Sequence, residues 1–142
     1  MKSIEDQIVR LYESVEERNW NRVYWAIDLH DTVITGVYNK FNVGAKLYPD
    51  AKEVLDFLYN DPLHCTILWT SSYNDAVTDV CRQYNIKFNH YGENPECTNT
   101  SMCNFQNKFY FNVLLDDKSG FVGETDWTEI KNTLIKLNHW NI

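Results

Sequence analysis

Asp28, at the end of the apolar run Tyr24-Trp25-Ala26-Ile27, is the side chain of this sequence best placed to do chemistry. Such a run reads as a buried strand, and a carboxylate at its carboxyl end stands where open α/β sheets bind ligands. There it can act as a nucleophile, as a metal ligand, or as both. A second apolar run, 109–115, stops at the adjacent Asp116 and Asp117. Two carboxylates at a strand end repel one another when partly buried, and a cation is the natural compensation. A third run, 65–69, stops at Thr70-Ser71-Ser72 ahead of a helical segment. Hydroxyls there are good phosphate ligands, because the helix start adds free amides and the positive end of its dipole. They also serve simply as helix caps.

The elements that must hold these residues follow from periodicity. Residues 3–18 carry Ile4, Ile8, Leu11, Tyr12 and Val15 at helical spacing behind a capping box of Ser3 and Asp6, and they form an extra N-terminal helix within 1–20. Strand 22–27 leads to Asp28, and 33–43 has the β-branched and aromatic content of a short hairpin. Helices are expected over 49–60, with Pro49 early, and over 74–84, with strand 65–69 between them. A short strand at 87–91, a polar loop at 92–107 and a strand at 109–115 follow. A last helix is expected with Asp126 at its N-cap. Helical and strand segments alternate, which argues for a mainly parallel sheet with helices on both faces, in one α/β domain spanning 1–142.

The order apolar strand, Asp28, then His30-Asp31-Thr32-Val33, together with Thr70, Lys108 and the Asp116-Asp117 pair, resembles the motif series of the haloacid dehalogenase-like (HAD) phosphohydrolases. The resemblance runs from about Val23 to Phe121 and implies a three-layer Rossmann-like fold. It further implies a magnesium-dependent phosphomonoesterase working through an aspartyl-phosphate. Asp28 matches the nucleophile, and Thr70 matches the phosphate-binding hydroxyl, with Ser71 beside it. Lys108 matches the lysine that holds nucleophile and phosphate, although a lone lysine before a strand is normally a solvated side chain. Asp116 and Asp117 match the metal-binding pair. The family usually has Asp at the acid/base position, where this chain has His30. Its backbone carbonyl would still serve as a magnesium ligand, and imidazole titrates near neutrality and can pass a proton both ways. The hairpin at 33–43 matches a flap over the site. The short interval before helix 49–60 leaves no room for a cap domain, so either an uncapped site open to a bulky phosphorylated substrate or a lid borrowed from a neighbouring subunit is expected. The alternative is a catalytically degenerate member that binds a metal or a phosphorylated ligand as a regulatory protein. Phosphatase action on a nucleic-acid end is a further reading.

Composition narrows these readings. With 142 residues and 44% hydrophobic content, the chain can bury one core. A net charge of -7 opposes binding to the polyanionic backbone of nucleic acid. No apolar run approaches the length of roughly 20 residues that spans a bilayer, and the N-terminus lacks the order of a signal peptide. A cytoplasmic protein with no membrane partner is expected. The cysteines Cys65, Cys81, Cys97 and Cys103 form no Cys-x-x-Cys pair and are expected as free thiols. Cys97 and Cys103 lie near His90, but in no common zinc-ligand spacing. The aromatic residues, 15% of the chain, fall mostly within apolar periodic segments and read as core.

Overall fold

The computed structural model describes residues 3–37, 39–106 and 108–140. Tyr38 of the expected hairpin, Asn107 of the expected loop, Met1 and Lys2 of the expected N-terminal segment, and Asn141 and Ile142 lie outside them. The elements run α1 (Ile4–Arg18), β1 (Val23–Asp28), α2 (Ala51–Asn60), β2 (His64–Trp69), α3 (Asn74–Tyr84), β3 (His90–Tyr91), β4 (Val113–Leu115) and α4 (Gly123–Lys136), with a single 3-10 turn, Asp117–Ser119, before the last. The strands form one sheet in the order β3-β2-β1-β4, and every pairing is parallel. β1 is therefore central, in register with β2 from Val23↔His64 to Asp28↔Trp69 and with β4 from Trp25↔Val113 to Ile27↔Leu115.

Strand side chains alternate between two faces. Val23, Trp25 and Ile27 join Leu68, Val113 and Leu115 in the main core, with Ile4, Ile8 and Leu11 of α1, the apolar face of α2, and Trp127, Ile130 and Leu134 of α4. Ala26, Cys65 and Ile67 form a second cluster with Phe109, against which Tyr24, Phe111 and Leu114 pack. The architecture is the expected three-layer, Rossmann-like α/β arrangement, with a parallel sheet of four strands flanked by helices. Helices on both faces were expected, but apolar residues of all four helices join the main core; over Ala26, Cys65 and Ile67 the covering comes instead from aromatic residues of the long β3–β4 crossover, which forms no helix among the described residues.

Several boundaries differ from expectation, each for a local reason. β3 and β4 are shorter because an asparagine side chain replaces the backbone at the entry to each. Asn89 Oδ1 accepts from Thr66 N at 2.7 Å, and Asn112 Oδ1 accepts from Tyr24 N at 2.8 Å. Before Asn112 the chain leaves the ladder so that Phe109 can cover the sheet. The 33–43 segment is not a hairpin; its only pairings among the described residues are isolated bridges, His30↔Ile34 and Ile34↔Leu47. The loop is drawn onto α3 instead, where Lys40 pairs with Asp75 at 2.9 Å and the Tyr84 hydroxyl donates to the Ala45 carbonyl. α2 starts after Asp50, which has a left-handed backbone, rather than at Pro49. Asp126 is not the N-cap of α4 but lies within its first turn, where its carboxylate accepts from Val122 N at 2.8 Å. The helix can begin earlier because Gly123 lets the Tyr48 ring approach; a Cβ there would lie 2.5 Å from a ring carbon.

α1 is capped as expected, with Ser3 Oγ accepting from Asp6 N at 3.2 Å, and it packs against α4. No helix among the described residues is long and apolar enough to cross a membrane.

Candidate active site

Parallel pairing brings the carboxyl ends of β1, β2 and β4 to one edge of the sheet. The register that sets Ile27 against Leu115 places Asp116 alongside Asp28. Carboxylate oxygens of Asp28, Asp116 and Asp117 all lie within 4.8 Å of one another. Burial, with the nearby Asp116 and Asp117 charges adding to it, pushes the Asp28 carboxyl up to about 7, against one opposing backbone hydrogen bond at Leu29. No Lys or Arg among the described residues forms an ion pair with any of the three. Three converging oxygen donors with uncompensated charge are the donor set of a hard divalent cation such as magnesium.

The turn after β1 is held from both sides. Leu29 O accepts from Val33 N at 2.9 Å and Ile34 N at 3.1 Å. Asp31 takes a left-handed backbone, φ 59°, and its carboxylate folds back to accept from Gly36 N at 2.9 Å, away from the acidic cluster. Thr32 is fully buried and acts as a staple. Its hydroxyl lies 3.5 Å from Asp28 Oδ2 and accepts from Asp117 N at 3.1 Å, while its carbonyl accepts from the Trp127 indole at 2.6 Å. The turns after β1 and β4 thus meet on one side chain.

The remaining expected residues are less closely gathered. His30 lies two residues beyond Asp28, and its Nε2 meets Asn42 Oδ1, which is buried in the loop leaning on α3. Thr70 follows the end of β2, and its Oγ1 accepts from Ser72 N at 3.2 Å, leaving the hydroxyl proton free to donate. Ser71 is exposed beside it. Lys108 stands exposed in coil ahead of β4 and makes no ion pair with the acidic cluster. Asn42, Trp69 and Trp127 are the neighbours that sequence reasoning missed. Of these, only Trp69 carried a signal, as the last residue of its apolar run.

A second group of potential ligands, Cys65, His90 and Glu96, also converges within 4.8 Å. Here the charge is already matched: Arg22 Nε lies 3.1 Å from Glu96 Oε1, and His90 Nε2 lies 2.6 Å from Oε2. The Arg22 hydrogen bond, ahead of the others, holds the Glu96 carboxyl down at about 2. Burial, followed by Glu96, pushes the Cys65 thiol up to about 12. A guanidinium and a protonated thiol make this an ion-pair network that ties the crossover to the sheet. All four cysteines are free thiols.

Fold and site together define a Rossmann-like α/β protein with an acidic, cation-suited centre at the carboxyl edge of its sheet. No protein-family model matches the chain, and no curated protein matches it. A solved structure, that of a conserved protein coded by a locus from Bacteroides thetaiotaomicron, is similar with a TM-score of 0.59 and 22% identity, over 83% of this chain and 93% of that one. At that identity the likeness speaks to the fold alone.

Proposed function

We propose that the protein is a magnesium-dependent phosphomonoesterase that forms an aspartyl-phosphate on Asp28. The observation that carries this reading is the convergence of Asp28, Asp116 and Asp117 within 4.8 Å at the ends of adjacent parallel strands. Magnesium, held by these carboxylates and the His30 backbone carbonyl, would neutralise them and the phosphate oxygens. Asp28 attacks phosphorus as the ester P–O bond breaks, and His30 gives its proton to the departing alkoxide. His30 then takes a proton from the water that attacks the acyl phosphate, releasing inorganic phosphate and restoring Asp28. With Asn42 Oδ1 accepting from Nε2–H, Nδ1 is the nitrogen left to exchange that proton. Thr70 and Ser71 donate hydroxyls to the phosphate. Lys108 has its role from the resemblance alone.

The test is phosphate release from an aryl phosphate with and without magnesium, for wild type and Asp28→Asn across a pH series. Metal-dependent release that vanishes in the variant is expected, and release undiminished in Asp28→Asn refutes the mechanism. The engagement of His30 with Asn42, and the absence among the described residues of an ion pair between Lys108 and the carboxylates, favour a second reading: a non-hydrolytic module that binds a metal or a phosphorylated ligand. Saturable magnesium and phosphate-analogue binding without turnover on a broad ester panel would select it. A cytoplasmic location and a phosphorylated partner belong to either reading.

A further inference from the structure

Trp69 ends β2 in direct register with Asp28, so the two side chains leave the same face of the sheet, on neighbouring strands about 4.8 Å apart. It is the nucleophile's neighbour on the side opposite Asp116. Its indole is 48% exposed, an unusual state for a large ring at the end of an otherwise buried strand. One edge of the ring is fixed against Phe109, with centroids 5.3 Å apart and planes at 63°. Beyond it opens a groove of about 490 Å³, with Trp69, Phe105 and Phe109 as its aromatic walls and Thr98 and Gln106 among its polar ones. The Thr98 hydroxyl and the Gln106 carboxamide make no side-chain hydrogen bond within the described chain and remain open to a ligand. Glu93 is the one charged residue among the groove's described lining residues, so nothing there favours further phosphates.

Resting on the phosphomonoesterase reading above, we propose that the substrates are monophosphate esters whose alcohol carries a flat heteroaromatic ring, with nucleoside monophosphates as the type. The ring stacks on Trp69 in the groove, its polar edge meets Thr98 and Gln106, and the single phosphate reaches Asp28. The ring is held by the β3–β4 crossover. Stacking on an aromatic side chain is tolerant of ring identity, so purine and pyrimidine esters should both be accepted.

The experiment compares nucleoside monophosphates with glycerol phosphate for wild type and Trp69→Ala. In parallel, unphosphorylated adenosine is titrated into wild type and followed by the ¹⁵N-resolved indole signal of Trp69, assigned through Trp69→Phe. The expected result is a preference for the aromatic esters over glycerol phosphate that falls by about tenfold or more in Trp69→Ala. A saturable shift of the Trp69 indole by adenosine is expected as well. Equal losses on both ester classes, or no preference in wild type, overturn the proposal. If neither ester class is hydrolysed, the adenosine titration decides the groove alone, and the phosphomonoesterase reading is judged by the broad ester panel. A saturable Trp69 shift upholds an aromatic-ring site, and its absence removes it.

Discussion

Asp28 carries the largest electrostatic burden of any residue at the site. A carboxyl raised to about 7 in the folded chain, from an ordinary value near 3.8, is a penalty on the charged form. The folded state keeps a proton there that the unfolded chain gives up, so this group's contribution to stability falls as pH rises through that interval and stays low above it. Asp28→Asn is therefore expected to be more stable than wild type at pH 8, on the order of 1–2 kcal/mol after allowance for solvent screening, as measured by urea unfolding. Magnesium should raise the melting temperature of wild type more at pH 8 than at pH 5, where protons compete with it, and should do little for the variant. A variant no more stable than wild type at pH 8 would mean that the carboxylates do not strain one another. His30 offers a second test through Asn42, whose backbone is left-handed at φ 59° and whose Nδ2 is buried without a partner among the described residues. Asn42→Gly removes the amide without backbone strain. It is expected to lower kcat while leaving magnesium affinity unchanged, since the carboxylates are untouched. Unchanged kcat would show that His30 needs no support from Asn42.

Among the elements, the β3–β4 crossover is the one that sequence patterns described least well. Its polar composition reads as loose loop, yet Glu96 fastens it to the sheet through Arg22, His90 and Cys65, and Asn94 Nδ2 donates to Tyr110 O at 2.9 Å. Arg22 and Glu96 are 74 positions apart, and no short motif joins them. The same limit hid the strand entries, because an asparagine that stands in for backbone looks like any turn residue until its partner strand is known. By contrast, the bounds of α1 and the ends of β1 and β4 were readable, since each lies where an apolar pattern meets a capping residue or an abrupt carboxylate. Glu96→Ala leaves Arg22 and His90 facing each other without their acceptor, and after solvent screening of this partly exposed network it should cost about 1 kcal/mol of unfolding free energy. The effect should shrink as pH falls from about 4.5 to 2, because the depressed folded-state value makes this contribution present above that range and lost within it. A loss independent of pH would assign the cost to packing instead.

For the whole molecule, the buried His64 and the half-buried Asp28 set opposing pH dependences. His64 lies in the core, where it accepts from the Trp25 indole at 3.0 Å and meets the Tyr12 hydroxyl at 2.9 Å, and burial pulls it down to about 4. Between about 4 and 6.5 the unfolded chain takes up a proton at this histidine that the folded chain refuses, so its contribution to stability rises with pH. Asp28 runs the other way over nearly the same interval, and the two should leave wild type almost flat there. Denaturation at pH 4.5, 5.5 and 6.5 should show this plateau in wild type and a rising curve in Asp28→Asn; a flat variant would refute the pairing. The parallel sheet and the acidic edge were legible because they depend on run lengths and their endings. The His64 cluster was not, since its partners come from α1 and β1. The Thr32 carbonyl takes its indole donor from Trp127, 95 residues further on. During synthesis, a nascent chain that has made Asp28, Asp116 and Asp117 still lacks the donor that fixes the turn after β1 until α4 emerges. The turn is thus fixed only once α4 has emerged, and a product terminated before Trp127 would carry all three carboxylates without the indole that holds the turn beside them.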